Sequence, residues 1–319
     1  MWRQKSNRAI PDRHPRCRAW LRTVWGLALL AVAGCGRAAP ETDPRPAALS
    51  VMSFNVDAYG YFDRSGDGQA VELKPEAERA AVIGLIADVR PDVLALQEMG
   101  GPLVFEAFQQ DLAAAGLSYE HAALLQRDRS EQNLAVLSRY PFAAVERHTD
   151  DTYRVDGTAA VVQRGFLEVD VALPRGGGLR LIVVQLKSKT FHPLGQTEMR
   201  RNEARLLSQL VRRSLDEHPD RLLLVTGDLQ DHVHSAPVRL LLADPPGLHD
   251  LRPADAYGEY WTMFDAEAEI YQRTDYLLAS PALYALYRTE QSSMVRHPLN
   301  ATASRHRPLL AVFEIPETP

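Results

Sequence analysis

The sequence contains little cysteine and no long hydrophobic run, and these absences exclude several classes of protein. Only two cysteines, Cys17 and Cys35, occur in 319 residues, which excludes a disulfide-rich secreted scaffold. The longest apolar segment, residues 24–33, is shorter than the roughly 20 residues that a membrane-spanning helix needs. The formal net charge of −5 excludes a strongly basic protein that coats nucleic acid. A hydrophobic fraction of 45% and a charged fraction of 24% are typical of a globular protein with a large core.

The N-terminal segment has the organisation of a bacterial export signal. Basic side chains outnumber the single acid, Asp12, in residues 1–22, and the apolar segment 24–33 follows. This order is typical of a signal peptide. The segment ends in Val32-Ala33-Gly34-Cys35, and small residues before a cysteine resemble the lipobox of bacterial lipoproteins. That resemblance implies cleavage before Cys35 and a diacylglycerol on its sulfur. A buried helix with an incidental cysteine is the alternative interpretation.

These features divide the chain into three parts. We expect a lipoprotein signal peptide at residues 1–34, a lipidated cysteine with a flexible tether at residues 35–48, and one folded domain at residues 49–316. The predicted protein is extracytoplasmic and bound to a membrane of the cell envelope through the lipid on Cys35. Once the segment before Cys35 is removed, the mature chain has no thiol available for a disulfide, and its core alone would have to stabilise it.

The domain alternates between strand and helix patterns without an internal repeat. Predicted strands outnumber predicted helices, and hairpins are mixed with helical crossovers, which favours a sandwich of sheets with outer helices over a doubly wound parallel sheet. The predicted strands are residues 49–55, 92–98, 133–138, 166–173, 179–186, 221–228, 260–264, 275–279 and 309–315, and the predicted helices are residues 75–90 and 196–217.

Five polar residues stand where apolar strands stop. They are Asn55, Glu98, Asp228, Asp275 and His306. Each alone has a structural explanation as a turn residue, a helix cap or a structural histidine. Strand ends converge on one edge of an α/β sandwich, however, and we expect these side chains to meet there.

Six segments in the same order resemble the endonuclease/exonuclease/phosphatase superfamily, which has the fold of pancreatic deoxyribonuclease. The resemblance covers about residues 49–315 and implies an α/β/β/α sandwich of four layers, in which two mixed β-sheets pack face to face between outer helices. It also implies Mg²⁺-assisted hydrolysis of a phosphate ester, with Mn²⁺ as an alternative ion. The segments are Met52-Ser53-Phe54-Asn55, residues 91–98, residues 135–141, Thr226-Gly227-Asp228-Leu229-Gln230, residues 273–278 and residues 304–309.

The same resemblance implies a role for each polar residue. Glu98 would be the principal metal ligand, with Asn55 beside it, because a hard cation takes oxygen ligands. Asp228 would orient and activate the attacking water. Asp275 would hold His306 in one tautomer, and His306 would deprotonate water or bind phosphoryl oxygens as charge develops.

Three positions depart from the family pattern. Relatives usually carry His or Tyr at Gln185, Asn at Gln230 and Asp at Arg305. Gln185 and Gln230 keep hydrogen-bonding amides and are retained as candidate catalytic residues, although an amide transfers no proton at neutral pH. Arg305 and Lys187, together with Lys189, would bind the substrate phosphate. In the opposite interpretation, the departures mark a site that has lost its chemistry.

Three functions therefore remain open at this stage. The first is a metal-dependent phosphodiesterase or nuclease of the cell envelope. The second is a phosphomonoesterase acting on a small metabolite or a lipid headgroup, and the third is a non-enzymatic envelope lipoprotein. The expected partners are a phosphate-ester substrate, with nucleic acid as one candidate, and a membrane reached through Cys35. The sequence indicates no protein partner.

Overall fold

A computed structural model of the protein describes residues 47–63, 68, 70–127, 132–174 and 176–316. These residues belong to one compact unit, Arg45–Pro319. The predicted signal peptide, Cys35 and the tether up to residue 46 lie outside the described residues.

Most of the chain's strands are short and rich in Val, Leu, Ile and Ala, the composition expected of strands that are buried on both faces. In chain order the strands are β1 (Ala47–Tyr59), β2 (Tyr61–Phe62), β3 (Glu72–Leu73), β4 (Val93–Met99), β5 (His121–Leu125), β6 (Asn133–Ser138), β7 (Phe142–His148), β8 (Thr152–Val155), β9 (Thr158–Val161), β10 (Phe166–Ala172), β11 (Gly178–Gln185), β12 (Leu222–Asp228), β13 (His249–Asp250), β14 (Met263–Asp265), β15 (Ile270–Gln272), β16 (Asp275–Ala279), β17 (Ser293–Met294) and β18 (Leu309–Ile315).

The helices connect these strands on the outside of the sheets. They are α1 (Glu76–Val89), α2 (Pro102–Ala114), α3 (Gln196–Glu217), α4 (Ala236–Leu242), α5 (Pro281–Tyr284) and α6 (Asn300–Ala303), with a 3₁₀ turn at Thr289–Gln291. Helix α1 begins after Pro75, carries Glu76 and Glu78 in its first turn, and ends at Arg90 in the left-handed conformation. Acidic residues in the first turn complement the helix dipole.

Two mixed sheets of six strands form the centre of the fold. The first has the order β17-β18-β1-β4-β6-β5 and the second the order β13-β16-β12-β11-β10-β7. Strands β1 and β4 are parallel, as are β11 and β12, whereas β16 and β18 run antiparallel to their neighbours β12 and β1. The carboxyl ends of β1, β4, β11 and β12 therefore lie beside the amino ends of β16 and β18, and this edge carries the polar residues.

Three hydrophobic cores separate four layers. Leu49 and Val51 of β1 lie in the core between the sheets, whereas Met52 and Phe54 lie in a core with α1 and α2. A third core joins the second sheet to α3 and α4. Because successive side chains of a strand point to opposite faces, each sheet contributes to two cores. The predicted four-layer α/β/β/α sandwich is confirmed.

The predicted elements agree closely with the observed ones. Strands at residues 133–138, 275–279 and 309–315 and the helix at 196–217 have the predicted bounds. The strand predicted at residues 260–264 instead begins at Met263. Tyr260 and Trp261 before it contact arginine side chains face-on rather than joining a ladder. Among the described residues, no helix combines the length and hydropathy needed to cross a membrane.

Candidate active site

The polar residues that end the strands meet at one edge of the two sheets. Gln185 at the end of β11 lies opposite Asp228 at the end of β12, and Asp228 lies opposite Asp275, the first residue of β16. Asn55 and Glu98 come from β1 and β4 in the facing sheet, where the pairing of these two strands shifts register. The prediction that these side chains converge agrees with this geometry, because their side chains are joined by the hydrogen bonds described next.

Glu98 lies at an interruption of the sheet and accepts four hydrogen bonds. The pairing of β4 with both of its neighbours shifts register around Glu98, and its φ of +62° is left-handed, a conformation that costs a residue other than glycine roughly 1 kcal/mol or more. Its Oε1 accepts from Asn55 Nδ2 at 3.3 Å and Gln185 Nε2 at 2.6 Å. Its Oε2 accepts from the backbone N of Ala58 at 2.9 Å and from Gln132 Nε2 at 3.1 Å. These four hydrogen bonds therefore fix the position of the Glu98 carboxylate at this edge of the sheet.

Asn55 links the two facing sheets. Its Nδ2 donates to Asp228 Oδ2 at 3.2 Å as well as to Glu98. Its Oδ1 accepts from the backbone N of Asp57 at 3.0 Å, and its backbone O accepts from Ser304 Oγ at 2.8 Å. The positive end of the Asn55 amide thus lies between two buried carboxylates and reduces their repulsion.

His306 and Asp275 form a buried pair. His306 Nδ1 lies 2.8 Å from Asp275 Oδ2, and the same oxygen accepts from the hydroxyls of Thr262 at 2.7 Å and Thr274 at 3.2 Å. The backbone N of His306 donates to Ser304 Oγ at 3.0 Å. Because Nδ1 is held by Asp275, Nε2 is the ring nitrogen left for a ligand in the cavity that His306 lines.

The neighbouring carboxylates set the protonation of this pair. Burial alone would lower the pKa of His306, but the charge and hydrogen bond of Asp275, with the charges of Asp228 and Glu98, raise that pKa to about 10. The imidazolium is therefore the resting form near neutral pH. Burial, with the charge of Asp275, raises the pKa of Asp228 above its ordinary value. This shift brings the Asp228 carboxyl closer to the range in which a general base works.

Gln230 and Gly227 shape the surroundings of Asp228. The backbone N of Gln230 donates to Asp228 Oδ1 at 2.9 Å, and its side-chain Nε2 donates to Asp228 Oδ2. Gly227 has a φ of +134°, and a Cβ at this position would lie 2.0 Å from the backbone O of Val184. Only glycine fits there, so the close approach of β11 and β12 next to Asp228 depends on this residue.

The departure at Gln185 leaves a buried amide in contact with Glu98. Gln185 is fully buried, and its Nε2 donates to Glu98 as described. Its Oε1 has no hydrogen-bond partner among the residues that the structure describes. The amide therefore positions Glu98 by donating one hydrogen bond. This role does not require a residue that transfers protons, such as His or Tyr.

A nearby acid neutralises the positive charge of Arg305, which stands where relatives usually carry Asp. The Arg305 guanidinium donates to the two carboxylate oxygens of Asp57 at 2.6 and 3.0 Å. Burial alone would raise the pKa of Asp57, but the hydrogen bonds and charge of Arg305 lower it to about 2. Lys74 Nζ donates to the backbone O of Asp57 at 3.0 Å. Arg305 thus enters the site as an ion pair, with 63% of its side chain exposed at the rim.

A cavity of about 560 Å³ opens in front of these residues. Polar and catalytic candidates line one part of it, and basic side chains line another. The residues that the chemistry concerns are Glu98, Gln230, His306, Arg164, Lys189 and Arg305. The cavity is therefore large enough for a phosphate ester with part of its leaving group, and it offers both signs of charge.

The two lysines that follow β11 differ in orientation. Lys187 is buried, and its Nζ donates to the backbone O and the hydroxyl of Ser188 and to the backbone O of Thr190 at 3.0–3.2 Å. It holds its own loop and is not among the residues that line the cavity, contrary to its expected role at the phosphate. Lys189 does line the cavity, and its Nζ donates to Gln272 Oε1 at 2.5 Å.

Sequence reasoning missed three residues of the site. Arg164 is buried on the cavity wall and donates to Gln132 Oε1 at 2.8 Å, and Gln132 in turn donates to Glu98. Asp57 pairs with Arg305. The sequence positions of Asp57 and Arg305 could have indicated this pair. The acid stands two residues after Asn55, the arginine stands directly before His306, and their charges are opposite. Arg164 has no comparable signal in the sequence.

The donor set fits a hard divalent cation. Glu98, Asp228 and Asp275 are three buried carboxylates, and ligand atoms of Asp228, Asp275 and His306 lie within 4.8 Å of one another. Buried negative charge without enough compensation favours a bound cation. Oxygen atoms dominate the set, and the unpaired Gln185 Oε1 adds another beside Glu98. These residues suit Mg²⁺ or Mn²⁺ better than a softer metal.

Comparison with solved structures finds the same fold in several enzymes. The catalytic domain of human Nocturnin is 17% identical with a TM-score of 0.61, and the match covers 83% of this chain and 94% of that domain. An AP endonuclease from Archaeoglobus fulgidus is 17% identical with a TM-score of 0.59, covering 84% and 100%. A truncated TDP2 from Caenorhabditis elegans is 18% identical with a TM-score of 0.58, covering 85% and 100%. At these identities the likeness concerns the fold. No curated protein sequence matches the chain.

A family sequence model also matches the amino-acid sequence of this chain. The model of the endonuclease/exonuclease/phosphatase family matches residues 52–306, a span that includes all five polar residues of the strand ends. The fold, the order of the motifs and the converging acids and histidine agree with this match. The chain therefore belongs to the endonuclease/exonuclease/phosphatase family.

Proposed function

We propose that this chain is a metal-dependent hydrolase of phosphodiesters. The observation that carries the proposal is one connected group of side chains beside a single cavity. Glu98 and His306 line that cavity, Asp275 pairs with His306, and the buried Asp228 is joined to Glu98 through Asn55. Members of the family are metal-dependent phosphoesterases, and the acids and base that such chemistry requires are retained here.

His306 acts through its positive charge. The raised pKa of His306, caused mainly by Asp275 against the effect of burial, keeps the imidazolium form at neutral pH. Nε2–H then points a charged donor at a phosphoryl oxygen, where negative charge grows in the transition state. Asp275 keeps the ring in place, because Thr262 and Thr274 hold its carboxylate.

Asp228 receives the proton of the attacking water. Burial raises its pKa, and this makes its carboxylate a stronger base than an exposed one. The backbone and side-chain amides of Gln230 orient both of its oxygens. Gln230 therefore contacts Asp228 from the position at which relatives usually carry Asn.

Glu98 would hold the metal ion, and the side-chain oxygens of Asn55 or Gln185 are the nearest additional ligands. When bound, Mg²⁺ or Mn²⁺ supplies Lewis-acid stabilisation of charge on the phosphoryl group and the leaving oxygen. A side-chain amide offers either its oxygen or its N–H₂ to a neighbour. Each of these two amides can therefore serve the carboxylate, as it does in the structure, or the cation.

The two candidate classes of substrate, a phosphodiester and a phosphomonoester, differ in charge. A phosphodiester carries one negative charge, whereas a monoester carries close to two near neutral pH because its second pKa is about 6. Of the basic residues on the wall, Arg305 is already paired with Asp57, and Asp265 adds another carboxylate to the lining. The comparison of a diester with a monoester in the test below therefore separates these two candidate functions.

The test uses the full chain with bis(p-nitrophenyl) phosphate, p-nitrophenyl phosphate and single-stranded DNA, each in Mg²⁺, Mn²⁺ or EDTA. We expect metal-dependent cleavage of the diester, lost in Glu98→Gln and Asp228→Asn and kept in Asp88→Asn, which changes an exposed carboxylate on α1. Faster cleavage of the monoester would support the phosphomonoesterase alternative. No metal-dependent cleavage of any substrate would support the non-enzymatic alternative and overturn the proposal.

The substitution Gln185→His separates a retuned site from a decayed one. If the amide is an adapted part of the site, the histidine variant should be slower than wild type, because it removes a 2.6 Å hydrogen bond to Glu98. An increase in turnover would show instead that Gln185 is a defect.

We further propose that the protein is a lipoprotein of the cell envelope, anchored through Cys35. Support comes from the sequence: a basic segment, an apolar segment and small residues precede this cysteine in the order of a lipoprotein signal. Cys35→Ser should abolish incorporation of a radiolabelled or clickable fatty acid in bacterial cells, whereas Cys17→Ser should not. Labelling that persists in Cys35→Ser would exclude the anchor.

A further inference from the structure

A second group of acids around a histidine lies on the outer face of the second sheet, away from the cavity. His148 ends the edge strand β7, and β7 pairs with β10. Glu146 lies directly opposite Glu168 in this pairing, and His148 lies opposite Phe166. Residues two apart on one strand share a face with their cross-strand partners. Glu146, His148 and Glu168 therefore point to the same side.

These three side chains lie close together, but they do not complete one another's hydrogen bonds. His148 Nε2 lies 3.4 Å from Glu168 Oε2 and 4.0 Å from Glu146 Oε2. Glu168 is 4% exposed, and neither its Oε2 nor His148 Nε2 has a hydrogen-bond partner among the described residues. The other oxygen, Glu168 Oε1, is paired with Arg180 at 2.8 Å. One buried carboxylate oxygen and one ring nitrogen are thus aimed at the same point.

Two energetic costs meet at this point. Carboxylates directly opposite on neighbouring strands repel each other, and a buried polar atom without a partner is destabilising. A cation bound between the three side chains removes both costs. The cluster shares no residue with the lining of the active-site cavity.

The spacing of the three atoms matches a tetrahedral metal ion. Ligands about 2.0–2.1 Å from Zn²⁺ in tetrahedral geometry lie about 3.4 Å apart, and His148 Nε2 and Glu168 Oε2 are 3.4 Å apart. Glu146 Oε2 is slightly farther, but 63% of its side chain is exposed and free to move inward. Asp151 Oδ2 lies 3.7 Å from the other ring nitrogen, Nδ1. A carboxylate on that side favours the tautomer that leaves Nε2 free for a metal.

We propose that Glu146, His148 and Glu168 form a zinc site, with water as the fourth ligand. A nitrogen ligand selects Zn²⁺ over the Mg²⁺ suited to the active site. A cavity of about 390 Å³ lies beside His148, which lines it together with Asp151 and with Leu210 and Arg213 of α3. The ion would fasten the edge strand β7 to β10.

The test measures zinc retained by the full chain after EDTA treatment and dialysis against Zn²⁺ with excess Mg²⁺, which fills the hard-oxygen site. We expect one Zn²⁺ per chain by inductively coupled plasma mass spectrometry. X-ray absorption should give nitrogen or oxygen ligands at about 2.0–2.1 Å, with the multiple scattering of one imidazole ring. His148→Ala should lose the ion, and Glu146→Gln should weaken binding by about tenfold or more. His218→Ala, a change to an exposed histidine, and Glu98→Gln should both retain it.

The two controls separate this site from the active site. Zinc lost in Glu98→Gln but kept in His148→Ala would place the ion in the cavity and overturn the proposal. Failure of the wild-type chain to retain Zn²⁺ would also overturn it, and would leave His148 as a protonated partner of the acids. Glu146 is exposed, so Glu146→Gln should remain folded and decides the matter if circular dichroism finds His148→Ala unfolded.

Discussion

The most informative single change in the active site is Asp275→Asn. It keeps the size of the side chain and removes the negative charge that lies 2.8 Å from His306 Nδ1. A hydrogen bond to a charged group contributes about 1.5–3 kcal/mol, which corresponds to about 1–2 pKa units. Burial lowers the pKa of His306 while Asp275 raises it to a net value of about 10. We therefore expect the pKa of His306 to be lower in the variant than in wild type.

The same change alters the pH dependence of stability. A raised pKa in the folded state means that the stabilisation by protonated His306 is complete below the unfolded value of about 6.5 and is lost as the pH rises through about 10. In Asp275→Asn, the free energy of unfolding should be lower at neutral pH. Its decline on the alkaline side begins near the unfolded pKa of about 6.5 in both proteins, but it should end at a lower pH in the variant than in wild type.

The measurement is a titration of histidine Cε1–Hε1 signals in the full chain labelled with ¹³C-histidine. His306→Gln assigns the signal, and Asp88→Asn serves as a control that should leave the pKa of His306 unchanged. A pKa of His306 near 6.5 in wild type, or the same value in wild type and Asp275→Asn, would refute the electrostatic account of this pair.

Activity gives an independent readout of the same pair. Loss of a positioned acid or base costs about 10²–10⁴-fold in rate. We expect Asp275→Asn to lose turnover of the diester in that range, and we expect the alkaline limb of its pH–rate profile to move to lower pH. A loss of rate with an unchanged alkaline limb would contradict the assigned role of the imidazolium.

Three other changes test separate parts of the structure. Asp255→Asn breaks a fully buried ion pair with Arg307 and should lower the free energy of unfolding in urea by about 3–5 kcal/mol. Burial alone would raise the pKa of Asp255, but its hydrogen bonds hold that pKa below the ordinary value. The stabilisation by the Asp255 carboxylate should therefore be present above about pH 4 and be lost as the pH falls further. An unchanged acid transition in the variant would contradict this. Gly227→Ala forces a Cβ to 2.0 Å from the backbone O of Val184 and should destabilise by more than about 3 kcal/mol in the same assay, whereas a loss below about 1 kcal/mol would mean that the strands can separate freely. Arg305→Ala should lower turnover of the diester, by about tenfold if it contributes one charged hydrogen bond, and higher turnover in Arg305→Asp would mark the arginine as a defect.

The elements of the fold could be predicted because their hydrophobic patterns are strong. Leu134 to Leu137 and Leu309 to Ile315 alternate with the period of a strand or run as buried apolar segments, and both are strands with the predicted bounds. Helix α3 has leucines at helical spacing and also has the predicted bounds. Strand patterns outnumber helix patterns and hairpins are mixed with helical crossovers, which is why the sequence indicated a sandwich.

The contacts of long, flexible side chains in the site were harder to predict from the sequence. Lys187 and Lys189 stand two residues apart in the sequence, yet Lys187 binds the oxygens of its own loop and Lys189 lines the cavity. A local pattern cannot separate these outcomes, because the flexible stem of lysine reaches oxygens in many directions. Burial of Lys187 was decided by the path of the loop after β11.

The sequence by itself determined the residue types of the site and the strands that end in them, because both are local properties of the chain. The tertiary structure alone decided which groups touch: Asn55 between two carboxylates, Gln185 against Glu98, and Arg305 against Asp57, 248 residues apart. These contacts join opposite sheets or distant segments, and they depend on the register and the bulges of strands that pair far apart in sequence. The chemistry of the site therefore follows from residues that the chain specifies and from distances that only packing of the two sheets sets.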